Sequence, residues 1–418
     1  MSRKRSASFN KGNKNQKKKQ KTEHNPMQVP MEDGYKIVQE GKVEILMVDD
    51  KHTPEKTIGY YSRQMESNRN LTTLLLQTCH KPGWEVLDAF ASTGVTGIRW
   101  TKEVSSKGDP IKVTANDIDG SVVELIKKNI TRNKVNIEVT QKDASILMLE
   151  RSWDYIQLDP YGSPCNYMEN AFRNLRNGGI LGLTCTDISA VCGMYPNVAL
   201  RHYGGLTCRT VVFYKELGAR VVIAAAARAA ARCSKGIRVL TCMYKDHYLV
   251  IALQVVRGCK PADQCLSRVK PVYYAPTAKR YSFDRTKCSL ENPGSNIMEL
   301  GPVWTGPIFD SEIMEKVHSE ALKRENMKNN KPFMRILGLI VEESKLNIPF
   351  YWSLEMFGIA DLPKMSRVSA MFHKAGYKCS RTHFGSTSLR TDAPANKIIA
   401  LLTHKESAEG KENDIESL

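Results

Sequence analysis

Glu85-Val86-Leu87-Asp88-Ala89-Phe90 runs directly into Ala91-Ser92-Thr93-Gly94-Val95-Thr96-Gly97. The first block is an apolar run carrying one acid, the second is small and glycine-bearing, and Ile98 and Trp100 follow it. This order reads as a buried strand, a tight turn and a helix. The alternation continues downstream. A strand over 111–115 ends in Asn116-Asp117, and a helix spans 121–129. A short strand over 137–139 precedes Asp143-Ala144, and an apolar strand over 153–158 ends at Asp159. A further buried strand covers 180–187, and an alanine-rich helix over 216–233 is closed by Gly236. Strands over 236–243 and 247–256 complete seven, the last two forming an antiparallel pair. Strand–helix alternation of this kind predicts an α/β fold, a mostly parallel Rossmann-like sheet with helices on both faces. Alanine at the density of 216–233 reads as close helix packing rather than a site.

Ligands of such sheets bind at the carboxyl ends of the strands, near the switch in strand order. Four successive strand ends here carry an acid: Asp88, Asp117, Asp143 and Asp159. The glycine turn is similar to a dinucleotide fingerprint, which brings a dehydrogenase into consideration. The third glycine of G-x-G-x-x-G is missing, however, and Asp88 stands before the turn. A nucleoside cofactor without a pyrophosphate fits better, and S-adenosyl-L-methionine is one. It needs an acid for the ribose diol, a close backbone approach and a polar contact for the adenine edge. Asp117, Gly94 and Asp143 are the expected providers. Each also has an ordinary structural reading, as a turn glycine or a helix-capping acid.

The strand at 153–158 delivers Asp159-Pro160-Tyr161-Gly162-Ser163-Pro164. A carboxylate, a carbonyl whose direction the proline ring helps fix, and a flat ring can together grip a planar amine-bearing heterocycle. A strand ending in a Pro-Gly turn is the plain alternative. Upstream, Tyr60-Tyr61-Ser62-Arg63 and Asn68-Arg69-Asn70 lead into a helix through Leu71, Leu74, Leu75 and Cys79. Adjacent tyrosines beside arginines suit a ligand-facing segment, and a core-anchoring role for one tyrosine is equally natural.

Composition sets the frame around these motifs. At 418 residues the chain has room for two or three domains. It carries no apolar run near the ~20 residues that span a bilayer, and no secretory signal, so no membrane partner is expected. The net charge is +17, and residues 1–22 hold nine Lys or Arg and no acid. That segment supplies about half of the excess, so a polyanion such as nucleic acid is the expected partner of the folded part too. Residues 1–30 read as a disordered basic tail, which leaves open a nuclear address, an RNA-binding arm or a solvated tail. The nucleus is the expected location, with cytoplasm and mitochondrion open. The eleven cysteines form no Cys-x-x-Cys pair and read as reduced, buried residues, so no metal is expected.

A composition shift over 258–276 reads as a junction between a domain over 31–257 and a second over 277–404, with 405–418 a frayed tail. Helices over 310–326, 332–345 and 364–375, followed by a basic aromatic strand near Gly376-Tyr377-Lys378, predict a smaller α+β, winged-helix-like module. Such a module carries nucleic acid or simply packs.

Taken together, the ordered blocks resemble the tRNA guanine N2-methyltransferases that dimethylate guanosine near the junction of the D and anticodon arms, with a likeness to the paralogue branch of animals. The resemblance runs from about Tyr60 to Pro394. It rests on Asn68-Arg69, the turn from Asp88 to Gly97, Asn116-Asp117, Asp159 to Pro164, Thr184 to Asp187, Gly301 to Pro307 and Arg381 to Phe384. It implies a monomeric enzyme that uses S-adenosyl-L-methionine and tRNA, placing one or two methyl groups on guanine 26 or neighbouring 27. Residue by residue, it implies that Arg69 holds the cofactor carboxylate, Asp117 the ribose, and Asp143 with Ala144 the adenine, beside Asp88 and Gly94. Asp159 and Pro160 become the catalytic pair, and Tyr60 and Tyr161 the faces for the target base. Two departures stand out: Asn70 where the family has aspartate, and Tyr214-Lys215-Glu216 where many members have Cys-His-Glu. Many members also carry zinc-spaced cysteine pairs, a spacing that Cys259, Cys265 and Cys288 lack. The alternative from another class is a tRNA-binding or tRNA-folding protein that keeps the scaffold without turnover.

Overall fold

The alternation between residues 85 and 257 is realised as one seven-stranded sheet in the computed structural model, which describes residues 31–32, 34–48, 58–104, 110–358 and 362–403. The basic tail at 1–30 and the tail at 405–418 lie outside the described residues. A short strand β1 (Met31–Glu32) and a hairpin of β2 (Tyr35–Glu40) and β3 (Val43–Val48) precede the sheet. The hairpin turns at Gly41, whose φ of +56° favours glycine; a Cβ there would also meet the Glu103 carboxylate at 2.3 Å.

Helix α1 (Glu66–Cys79) leads into β4 (Glu85–Asp88), α2 (Val95–Glu103), β5 (Lys112–Asn116), α3 (Gly120–Asn133), β6 (Glu138–Thr140), α4 (Ala144–Glu150) and β7 (Trp153–Leu158). Then come α5 (Met168–Asn174), β8 (Leu175–Cys185), α6 (Ile188–Val191), α7 (Pro196–Tyr203), α8 (Tyr214–Arg232), β9 (Lys235–Lys245) and β10 (Tyr248–Arg257). The strand order is β6-β5-β4-β7-β8-β10-β9. All pairs from β6 to β8 are parallel, and β10 is antiparallel to both of its neighbours. The chain builds outward from β4 to β6 and then returns to place β7 on the other side of β4. The switch in strand order therefore falls between Asp88 and Asp159, the ends of those two strands.

Helix α1 starts earlier than its leucines indicate. Asn68, Arg69 and Asn70 lie within its first turns and are buried. Its N-cap is Met65, which makes no side-chain cap bond, so the usual Ser, Thr or Asp start signal is absent. Alanine density in α8 does serve packing. Ala219, Ala224, Ala226, Ala227 and Ala230 are fully buried, and a Cβ at Gly218 would strike the Val191 carbonyl at 2.1 Å.

Past β10 the main core continues. A strand over Val269–Ala275, within the stretch that reads as a junction, pairs with Arg280–Ser282 and with Met298–Trp304. Val272, Trp304, Val317, Phe333, Ile340 and Phe350 join the same apolar cluster as the sheet. A second, small core of Leu354, Val368, Phe372, Leu389 and Ile398 fills an α+β unit. That unit has helices Met365–Lys374 and Ala395–Thr403 on an antiparallel sheet of Trp352–Ser353, Gly385–Thr391 and Cys379–Thr382.

Candidate active site

Asp159 ends β7 beside the switch point, half-buried, with Pro160 buried behind it. Asn68 Nδ2 donates to Asp159 Oδ2 at 3.2 Å and to Thr184 Oγ1 at 3.1 Å, and Gln157 Nε2 donates to the same Thr184 oxygen at 3.2 Å. Burial pushes the Asp159 carboxyl up to about 6, although Arg69, Asn68 and Thr184 each favour its charged form. The group is thus mostly an acceptor carboxylate at neutral pH, yet close enough to its titration to take up a proton.

The loop after Asp159 is pinned at several points. Gly162, at φ +82°, donates its N–H to Thr186 Oγ1 at 2.7 Å and accepts the Thr186 N–H at 2.9 Å. Ser163 Oγ donates to Tyr203 Oη at 2.8 Å, and that phenol donates to the Asp187 carboxylate at 2.9 Å. With its base held, Tyr161 projects outward at 60% exposure. The Tyr60 ring, 37% exposed, lies 6.0 Å from it between centroids at an interplanar angle of 57°. Residues a hundred positions apart thereby form an open aromatic pair beside a carboxylate.

On the other side of the switch point, Asp88 is buried at the end of β4. Burial and then the nearby Asp159 push its carboxyl up to about 7, against a bond from the Gly97 N–H. Gly94 caps α2 at φ +78°, where a Cβ would press on Ile126 at 3.2 Å. Asp117 follows β5 with its two oxygens accepting the Ser92 and Asp119 N–H groups at 3.1 Å each. Burial raises its carboxyl as well. Asp143 is exposed and caps α4 through Oδ1, accepting the Ser145 N–H at 2.7 Å, while Ala144 is buried beneath it. The capping role leaves Oδ2 for another partner.

Arg69 has a neighbour that the linear order does not reveal. Its Nε and Nη2 donate to the Glu40 carboxylate at 2.7 and 2.5 Å, Nη2 also reaches the Ser62 carbonyl at 2.9 Å, and the guanidinium sits 5.0 Å from the Tyr61 ring centroid. Arg99 Nη1 donates to the same Glu40 at 2.9 Å. Burial opposes charge on Glu40, yet the two guanidiniums hold its carboxyl at about 2. The arrangement makes Arg69 part of a buried ion-pair ladder, so any ligand contact falls to Nη1.

Among the described residues, several buried polar atoms near the start of α1 and the β4 turn have no hydrogen-bond partner: Asn68 Oδ1, both side-chain polar atoms of Asn70, Asp88 Oδ2 and Thr93 Oγ1. A buried polar atom left in that state costs about 1–3 kcal/mol, so a cluster of them fits a site completed by a polar ligand. Asn68, Thr184 and Asp187 are the site residues that sequence reading left without roles. Asn68 and the stretch from Thr184 to Asp187 did stand out as motif blocks; Glu40 gave no signal at all.

A family described as N2,N2-dimethylguanosine tRNA methyltransferase matches residues 41–403. The chain belongs to that family. It is 30% identical over 465 residues to a Bos taurus tRNA (guanine(27)-N(2))-dimethyltransferase, covering 88% of this chain and 62% of the bovine protein. It is 30% identical over 383 residues to a Pyrococcus horikoshii tRNA (guanine(26)-N(2))-dimethyltransferase, covering 87% of this chain and 96% of the archaeal one. The chain therefore spans under two thirds of the bovine relative's length but nearly all of the archaeal relative's. The solved structure of Trm1 from Pyrococcus horikoshii with S-adenosyl-L-methionine superposes with a TM-score of 0.76 at 29% identity, over 88% of this chain and 99% of that one. The family's fold accounts for both the seven-stranded sheet and the C-terminal small-sheet unit.

Proposed function

We propose that this chain transfers one or two methyl groups from S-adenosyl-L-methionine to the exocyclic N2 of a guanine in tRNA, at position 26 or the neighbouring 27. The observation that carries the reading is the fixed carboxylate of Asp159 beside the open pair of Tyr60 and Tyr161.

The residues present fit the cofactor. The sheet edge gathers Asp88, Asp117, Asp143 and Asp159, while the nearby guanidinium of Arg69 is committed to Glu40. Three of these acids are pushed up by burial, so a cation bound among them would favour their charged forms. S-Adenosylmethionine carries an ammonium and a sulfonium against one carboxylate, and its electrophilic methyl group supplies the chemistry when it is bound. Asp117 would hold the ribose diol, Asp143 with Ala144 the adenine edge, and Arg69 Nη1 the carboxylate, with Gly94 and Asp88 lining the turn.

The chain's own task is to prepare the acceptor. A guanine N2 is a poor nucleophile because its lone pair is delocalised into the ring. Hydrogen bonds to Asp159 and to the Pro160 carbonyl localise that pair, and in-line placement supplies most of the acceleration. Asp159 takes the proton released from the amine. Since stacking covers the ring face, along which the N2 lone pair points, the nucleotide must be extruded first, at a cost of a few kcal/mol. An aromatic pair returns about 1–3 kcal/mol per base, so contacts to the tRNA backbone supply the rest.

The test is transfer of a labelled methyl from S-adenosylmethionine to unmodified tRNA, followed by nucleoside mass spectrometry. Label in N2-methyl- or N2,N2-dimethylguanosine supports the reading, and mapping by primer extension separates position 26 from 27. Tight tRNA binding with no label in guanosine would overturn it in favour of a binding protein.

A further inference from the structure

A second concave surface lies on the same edge of the sheet as Asp159, beyond the Tyr60–Tyr161 pair. Strand β9 runs parallel to β8 through the antiparallel β10 between them, so its carboxyl end, at Tyr244 and Lys245, faces the same way as that of β7. Here the sheet, the start of α8 and the segment 383–386 of the C-terminal unit enclose a groove of about 470 Å³. Its two sides are joined directly. Lys215 Nζ donates to the Phe384 carbonyl at 2.8 Å, and the Tyr244 N–H donates to His383 Nε2 at 3.0 Å.

The lining alternates cations with aromatic faces. The Arg209 guanidinium lies 3.7 Å from the Tyr214 ring centroid, and Lys215 Nζ lies 4.9 Å from that of Tyr244. Lys245 adds a third cation, bonded to Asp246, the one carboxylate in the lining. Among the described residues Arg209 and Lys215 have no carboxylate partner. Burial pulls the Lys215 ammonium down, and the nearby Arg209 acts in the same direction. At the rim, between α6 and α7, Met194 and Tyr195 are 60% and 59% exposed. Cations interleaved with ring faces are what binds a single nucleic-acid strand: phosphates take the charges and bases the rings. An acidic peptide would use the charges and leave the rings idle.

Resting on the tRNA substrate proposed above, we infer that this groove holds a second stretch of the tRNA strand, with phosphates at Arg209 and Lys245 and a base against Tyr214. Three strand spacings separate β7 from β9, about 14 Å at ~4.8 Å each, or about four nucleotides at ~3.4 Å per stacked step. The groove thus reads the strand a few nucleotides from the target. It also explains why the C-terminal unit is bolted to the sheet at this point: neither part makes the groove alone.

The experiment uses the full chain, unmodified bulk tRNA in filter binding across a KCl series, and calorimetry of S-adenosylmethionine. Arg209 is exposed, so Arg209→Glu should fold, and unchanged cofactor affinity verifies that it does. The expected result is tRNA binding at least tenfold weaker at 150 mM KCl, with the slope of log K against log salt flatter by about 0.7–0.9. Lys245→Gln should flatten the slope with a smaller loss, and Arg209→Lys should keep it. Wild-type affinity and slope in Arg209→Glu would overturn the groove while leaving the substrate reading intact. Loss of polyglutamate binding with tRNA binding retained would overturn it in favour of an acidic peptide. A wild-type chain that binds the cofactor but no tRNA would bring down both.

Discussion

Asn68 and Asp159, one on the first turn of α1 and the other at the end of β7, are joined by a 3.2 Å hydrogen bond, and the same Asn68 amide spans to Thr184 on β8. A carboxylate held this way cannot rotate away from an incoming amine. Asp159→Asn keeps the shape but exchanges one acceptor oxygen for a donor. It should lower methyl transfer by about 10²–10⁴-fold, the usual worth of a positioned acid–base group, with cofactor affinity nearly intact by calorimetry. Asn68→Ala removes a donor that favours the charged carboxylate, so its kcat should fall less and its pH profile should move to higher pH. Full turnover in Asp159→Asn would sink the mechanism.

The two acids at the switch point make stability depend on pH in a defined direction. Burial places Asp88 at about 7 and Asp159 at about 6, above the value near 4 of an unfolded aspartate. Between those limits the folded chain binds more protons than the unfolded one. The contribution is thus fully present below about pH 4 and is lost as pH rises through 6 and 7. Urea unfolding of the cofactor-free chain should show stability falling from pH 5 to pH 8, with a shallower fall in Asp88→Asn. An identical slope in the variant would show that Asp88 ionises freely. The cationic cofactor should raise the midpoint more at pH 8 than at pH 5.

The tyrosine pair separates recognition of the base from recognition of the strand. Tyr161 is 60% exposed and contributes little to the core, so Tyr161→Ala should fold normally. Loss of one stacking face is worth about 1–3 kcal/mol per base, an effect that falls on the extruded state. Methyl transfer should drop by about 5- to 150-fold with only modest loss of tRNA affinity. Tyr161→Phe should restore most of it, since the face and not the hydroxyl is used. Single-turnover assays and equilibrium binding on the same preparations distinguish this from a change that weakens tRNA binding as a whole.

The sheet was legible because its strands are mostly apolar runs such as Trp153 to Leu158, with a polar residue such as Asp159 at or just past the carboxyl end. Asp88, Asp117, Asp143 and Asp159 all lie at or just past the carboxyl ends of β4, β5, β6 and β7. What escaped was pairing across distance. Glu40 meets Arg69 and Arg99 only because the β2–β3 hairpin folds back over α1 and α2, and no local pattern encodes that return. The stretch 258–276 looks like a linker because it is polar, yet Val272 and Tyr274 alternate inward from one strand and join the main core. A cut at 277 would strip Trp304, Phe333 and Phe350 from that core, so tRNA affinity must be dissected by point changes.

The Arg381-Thr382-His383-Phe384 block, legible as a motif without a role, proves to be the bolt between the two parts. Glu343 accepts from Thr382 Oγ1 at 2.7 Å and from Arg390 Nη2 at 2.9 Å, and it is bonded to His383 Nδ1. Arg390 Nη1 reaches Glu216 Oε1 of α8 at 3.1 Å and the Phe350 carbonyl at the same distance. Burial works against charge on Glu343, but His383 and Arg390 hold its carboxyl at about 2. Its contribution is therefore present above about pH 4.5 and lost as pH falls toward 2. Removing one member of a fully buried ion network strands the others, at about 3–5 kcal/mol. Arg390→Met should thus lower unfolding free energy by that amount and shift acid unfolding to higher pH. Because His383 also forms a wall of the basic groove, the same variant should lose tRNA affinity while S-adenosylmethionine affinity, set several strands away along the same sheet edge, stays within about twofold. Equal losses for both ligands would show that the network supports the whole fold and does not specifically position the C-terminal unit.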